Sequence, residues 1–177
     1  MVTVVSNILY ATDLSPNSAH ALSHAVNMAL RYNAKIIALH VIEEDPVNMA
    51  MLEGYISQAQ IDEYTARRKS NSKARMKKRF NILCEENFKD PDACMQTLAR
   101  TEVCKGFPAE AILEKADEFN CDVIVMGTHG KGFLRQTFLG SVAKRVLRRS
   151  RKPVYIIPLP DQVGDLTFND DEMAQED

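Results

Sequence analysis

The chain has no C-x-x-C pair, no basic leader, no long apolar run and neither of the two commonest phosphate-binding motifs, and each absence removes a class of function. Cys84, Cys94, Cys104 and Cys121 lack the spacing of a zinc or redox site, so they read as free, largely buried thiols. No uninterrupted apolar stretch approaches the roughly 18 residues that a membrane span requires. The start, Met1-Val2-Thr3-Val4, carries no basic n-region, and the expectation is a soluble cytoplasmic protein without a membrane span. G-x-x-x-x-G-K-[ST] is missing, as is G-x-G-x-x-G after the first strand, which counts against P-loop hydrolases and dinucleotide-dependent dehydrogenases.

Basic residues are also missing from one end. Residues 159 to 177 hold seven acids (Asp161, Asp165, Asp170, Asp171, Glu172, Glu176 and Asp177) and no Lys or Arg. The formal net charge of -2 therefore divides into a mildly basic body and an acidic tail. A domain over 1–160 and an acidic, disordered tail over 161–177 are expected. With 177 residues, 45% of them hydrophobic, one domain can bury a core without a disulfide or metal staple.

What is present alternates strand and helix, the pattern of an α/β domain with a parallel sheet. Strand 1 is predicted over Val4 to Ala11. Ser15 then caps a helix with Pro16 at its first position, a buried stripe of Leu22, Ala25, Val26, Ala29 and Leu30, and Asn33 at its close. Lys35 to Ile42 is strand 2. An insertion at about 43–91 follows: a Met-containing stretch from Glu43 to about Ala59 that reads as a long loop, of the length lids often have, or as a broken helix, then a helix from Gln60 to Asn87. Its basic side chains, Arg67 to Arg79, suggest nucleic acid, but Met76, Phe80 and Leu83 supply a buried face, so the charges read as its solvated side and no nucleic acid is expected. Asp90-Pro91-Asp92 reads as a break, Thr97 to Cys104 as strand 3, and Gly106-Phe107-Pro108 as the start of a helix with Ile112, Leu113, Ala116 and Phe119 on one face, ended by Asn120. Cys121 to Met126 is strand 4. Leu139, Val142, Ala143, Val146 and Leu147 form the face of a fourth helix, and Val154 to Ile157, between Pro153 and Pro158, is an edge strand.

The chemistry concentrates at the glycine run Gly127-Thr128-His129-Gly130, followed after nine residues by Gly140-Ser141 at a helix start. Glycine lets backbone N–H groups approach an anion, and a helix start offers unpaired N–H groups and a positive dipole end. If strands 1 and 4 are neighbours, this run faces Tyr10 to Ser15 across the crevice at the carboxyl ends of the strands. Asp13 there could accept ribose hydroxyls or help hold a magnesium ion, or act only as a turn or capping residue. His20 and His24 have the i, i+4 spacing of metal ligands but no evident third partner.

This constellation resembles the ATP-binding signature of the universal stress protein family: Gly127-x-x-Gly130, nine residues, Gly140-Ser141, together with Asp13, His40-Val41, Gly106-x-Pro108 and the strand between Pro153 and Pro158. The resemblance covers roughly residues 4 to 159. It implies a Rossmann-like three-layer sandwich, with a five-stranded parallel sheet of order 3-2-1-4-5, that binds ATP and dimerises through the last strand. Val41 would then meet the adenine edge, and Ala11, Thr12 and Asp13 would border adenine and ribose. Met126 and Gly127 would lie near the ribose, with His129, Gly130, Gly140, Ser141 and Val142 around the phosphates. The insertion and the acidic extension depart from the simplest family pattern.

The expected function is that of an ATP-binding regulatory protein, with AMP or ADP as alternative ligands, Mg2+ accompanying ATP, a homodimer through 153–158 and a protein partner that the sequence does not name. No catalytic residue is expected, because His129 has no recognisable orienting carboxylate or adjacent nucleophile. The alternatives are a slow ATPase or nucleotidyl-transferring enzyme using Lys131 and Arg135 in the same crevice, and a dimeric interaction module that binds no nucleotide.

Overall fold

The computed structural model describes residues 4–15, 18–43, 55, 57–128 and 139–158. Strands β1 (Asn7–Thr12), β2 (Lys35–Glu43), β3 (Leu98–Gly106), β4 (Val123–Gly127) and β5 (Val154–Ile157) form one sheet in the order β3-β2-β1-β4-β5. Every neighbouring pair is parallel. Helices α1 (Ser18–Tyr32), α2 (Gln58–Asn87), α3 (Pro91–Thr97), α4 (Pro108–Glu118) and α5 (Ser141–Arg149) complete the described elements.

Alternation along the strands builds two cores. Ile8, Tyr10, Ile36, Ala38, Val123 and Val125 point to the side of α1, α2 and α3, where they pack on Leu22, Val26, Phe80 and Leu83. Leu9, Ala11, Ile37, Leu39, Ile124 and Met126 point the other way, onto Ile112 and Ala116 of α4 and Ala143 and Val146 of α5. Strands covered on both faces must be apolar throughout, which is why β1, β2 and β4 read as continuous runs rather than alternating ones. At the amino-terminal edge, the Asp122 carboxylate accepts both the Ser6 and the Asn7 N–H at 2.8 Å and so aligns β1 with β4.

The five-stranded Rossmann-like α/β architecture agrees with expectation, and several local readings need correction. Strand 1 starts at Asn7 rather than Val4. α1 is described from Ser18, Pro16 lies outside the described residues, and Leu30 is 40% exposed rather than in the stripe. α5 likewise buries Ala143 and Val146 but leaves Leu147 51% exposed.

The Asp90-Pro91-Asp92 break is a helix start. Asp90 caps α3 by accepting the Ala93 N–H at 2.9 Å, with Pro91 in the first turn, so there are five described helices where four were predicted, and β3 begins at Leu98. Cys84 and Cys94 are not free thiols: they form a disulfide that joins α2 to α3, while Cys104 and Cys121 are unpaired. α2 begins with a capping box between Ser57 and Gln60. No helix among the described residues is long and apolar enough to cross a membrane.

Candidate functional site

In this topology β1 is flanked by β2 on one side and β4 on the other, and the connections leaving β1 and β4 pass to opposite faces of the sheet. A crevice therefore opens beyond their carboxyl ends. A cavity of about 780 Å³ occupies it. Ala11, Thr12 and Asp13 line it from the end of β1, Val41 from β2, Met126 and Gly127 from β4, and Gly140, Ser141 and Val142 from the start of α5. His129 and Gly130 lie outside the described residues, as do Lys131 and Arg135.

On the α5 side, Gly140 occupies the cap position in extended backbone (φ -64°, ψ 158°) and brings no side chain to bond the first turn. Its N–H donates to the Thr128 carbonyl at 2.8 Å, and the Thr128 N–H donates to the Ile157 carbonyl at 2.9 Å, so the helix start is fastened to the ends of β4 and β5. The N–H groups of Ser141, Val142 and Ala143 lack intrahelical acceptors by position, and a glycine cap leaves them accessible to an anion.

The β1 side is held by local turns. The Leu14 N–H donates to Thr12 Oγ1 at 3.1 Å and the Ser15 N–H to Asp13 Oδ1 at 3.0 Å, a pair of side-chain turns that mimic backbone ones. Between them Leu14 adopts φ 60°, a left-handed conformation unusual for leucine, with its side chain buried. Asp13 Oδ1 is thus engaged by the loop, while Asp13 Oδ2 is buried and accepts no hydrogen bond among the described residues. His40, also buried, donates from Nδ1 to the Thr12 carbonyl at 2.9 Å, linking β2 to the same loop.

Beneath the loop, Tyr10 Oη donates to the Ser18 carbonyl at 2.9 Å, and burial pushes its hydroxyl up to about 12. Arg79 of α2, only 5% exposed, donates from Nη1 to the Ser15 carbonyl at 3.2 Å. Thr128, His40, Arg68 and Lys144 also line the cavity; the first two stand within the sequence constellation without a role assigned to them, and Arg68 and Lys144 lie outside it. Thr128 sits inside the glycine run and was the most findable of them. Arg68 reads from the sequence as one of the solvated charges of α2, and its place at the cavity follows only from the packing of that helix in the fold.

His20 lines the cavity, and its ring meets that of His24 edge-on at 4.9 Å between centroids. Partial burial, reinforced by His24, lowers the pKa of His20. No group of three His, Cys, Asp or Glu side chains able to hold a metal occurs among the described residues.

Comparison with known proteins points in one direction. The profile of the "Universal stress protein family" matches residues 5–158. Universal stress protein YxiE of Bacillus subtilis is 35% identical over 154 residues, covering 86% of this chain and 98% of the relative. Universal stress protein MJ0531 of Methanocaldococcus jannaschii is 33% identical over 153 residues, covering 86% and 82% respectively. The solved structure of MJ0577, a universal stress protein of the same organism, superposes with a TM-score of 0.68 at 28% identity, covering 90% of this chain and all of that one.

Proposed function

The chain belongs to the universal stress protein family, and from that premise we propose that it is an ATP-binding regulatory protein of the cytoplasm, working as a homodimer through β5. The observation that carries the nucleotide reading is Asp13 Oδ2, a buried acceptor without a hydrogen-bond partner among the described residues, on a residue that lines a cavity whose opposite wall is a glycine-capped helix start. A buried acceptor left unmatched is costly, and a ribose hydroxyl is a donor of the right kind. The Ser141, Val142 and Ala143 N–H groups would take the phosphates, and the Val41 backbone would meet the adenine edge. His129 and Gly130 are assigned to the phosphates from the sequence signature alone.

Mg2+ would travel on the phosphate oxygens, and Asp13 would reach it only in place of the ribose contact, since this ion commonly combines one or two carboxylates with phosphate oxygens. AMP and ADP would fill the same base and ribose positions with fewer phosphate contacts. We read the role as binding rather than turnover: the described walls of the crevice offer backbone N–H groups at a helix start and a buried carboxylate oxygen, groups suited to holding a nucleotide.

Calorimetric titration tests this with ATP and with its 2′-deoxy and 3′-deoxy analogues. ATP should bind, one deoxy analogue should bind about tenfold more weakly, and Asp13→Ala should weaken ATP by a similar factor while erasing that discrimination. Absence of ATP affinity in the wild-type protein, together with no nucleotide released on denaturing it, would refute the reading.

A further inference from the structure

The loop that presents Asp13 is not self-sufficient. Leu14 sits at φ 60°, and residues held in such sparsely populated backbone regions persist only where their surroundings enforce them. Besides the Thr12 and Asp13 side-chain turns, three donors meet on one atom of the loop, the Ser15 carbonyl oxygen. It accepts the Ser18 N–H at 3.1 Å, Ser18 Oγ at 2.7 Å and Arg79 Nη1 at 3.2 Å. The Ser15 N–H, on the other side of the same residue, donates to Asp13 Oδ1. A continuous chain of bonds therefore runs from α2 through Arg79 and Ser15 to the Asp13 carboxylate.

Arg79 stands out on α2. Residues 64–79 carry eight basic side chains and no acid; four of these are exposed and three half-buried, and Arg79 alone of the eight is buried, in line with Met76, Phe80 and Leu83. Burying a guanidinium is expensive unless it is hydrogen-bonded, and a packing role alone would be met by an apolar residue. Its bond to a loop carbonyl 64 positions away connects the helical insertion to the crevice.

We propose that Arg79 is a positioning residue that holds the Asp13 loop in its binding geometry, so that α2 and the crevice report on each other, an inference that rests on the nucleotide reading above. Because coupling between sites is reciprocal, nucleotide in the crevice should also tighten α2 around Arg79.

The test pairs nucleotide affinity with amide exchange. Arg79→Met should weaken ATP binding about tenfold and Arg79→Lys should recover most of it, since a lysine restores a charged donor. In the double variant with Asp13→Ala, Arg79→Met should cost nothing further, because its effect passes through Asp13. A merely structural arginine would lower the melting temperature yet leave affinity unchanged, or would add its loss to that of Asp13→Ala; either result overturns the inference.

Amide exchange at Leu14, Ser15 and Ser18 should accelerate in Arg79→Met without ligand. If wild-type protein binds no nucleotide, that acceleration still supports the positioning of the loop while the nucleotide reading fails, and unchanged exchange refutes both. If Arg79→Met does not fold, wild-type exchange decides: ATP should protect residues 76–80, and no protection overturns the coupling.

Discussion

Tyr10 shows how one buried side chain couples the stability of the protein to pH. Its hydroxyl is enclosed beneath the crevice loop and donates to the Ser18 carbonyl at the start of α1. Loss of solvation is the largest cause of its raised pKa, about 12 against the usual 10, and the nearby Arg79 charge opposes the rise. A tyrosine is neutral when protonated, so a raised folded-state pKa stabilises the fold fully below pH 10, and that contribution is lost as pH climbs through 12. Two pH units correspond to about 2.7 kcal/mol. Titration of phenolate absorbance should show one of the five tyrosines ionising late, together with unfolding, and Tyr10→Phe should remove that step at a cost of about 1 kcal/mol at neutral pH. Ionisation of all five near pH 10 in the folded protein would contradict it. At this scale the sequence was unevenly legible. Asn33 and Asn120, expected to close their helices, adopt φ 52° and φ 49°, because asparagine tolerates left-handed backbone and announces itself. Leu14 does the same without being a residue type that announces it: the Thr12 and Asp13 side-chain turns flank it, and the Ser15 carbonyl beyond it is held by Arg79 from α2.

The pairing of α2 with α3 depends on an element that the sequence disguised. Asp-Pro between polar residues reads as a break, yet Asp at the cap and Pro in the first turn form a helix-start signal of the same kind as that expected at Ser15-Pro16. Once α3 is in place, Cys94 faces Cys84 with Cα atoms 5.6 Å apart, a geometry that linear spacing without C-x-x-C could not indicate. Both sulfurs are buried against Phe80 and Leu83, so the bridge fastens α3 to the apolar face of the helix that carries Arg79. A bridge closing so short a loop restricts the unfolded chain and contributes about 2–3 kcal/mol. Two free thiols should be counted in the denatured oxidised protein, four after reduction, and reduction should lower the urea midpoint by an amount matching that energy. An unchanged midpoint after the thiol count has doubled would show that the bridge contributes nothing. The glycine-capped α5, by contrast, was legible from the outset, because Gly140-Ser141 ahead of an apolar periodicity is a purely local pattern.

At the scale of the molecule, strand and helix alternation was enough for the fold class, while the order β3-β2-β1-β4-β5 came only through the family resemblance, since periodicity does not say which strands are neighbours. That order leaves two sheet edges of different character. β3 carries Arg100, Glu102 and Lys105 along its length, charges that discourage pairing with another sheet. β5 reads Val154-Tyr155-Ile156-Ile157 without a charge, leaves Tyr155 53% exposed, and is bounded by Pro153 and Pro158, which limit how far pairing can extend. An apolar, uncharged edge of four residues is a liability in a monomer and a ready isologous contact in a twofold dimer. Light scattering on the wild-type chain should therefore give twice its 19.9 kDa mass. Tyr155→Lys places a charge on that edge without entering either core, so it should yield a monomer of nearly unchanged melting temperature with its ATP affinity retained, because Asp13 and α5 lie on the same chain. A monomeric wild-type protein at high concentration would refute dimerisation, and a dimer that survives Tyr155→Lys would move the interface away from β5.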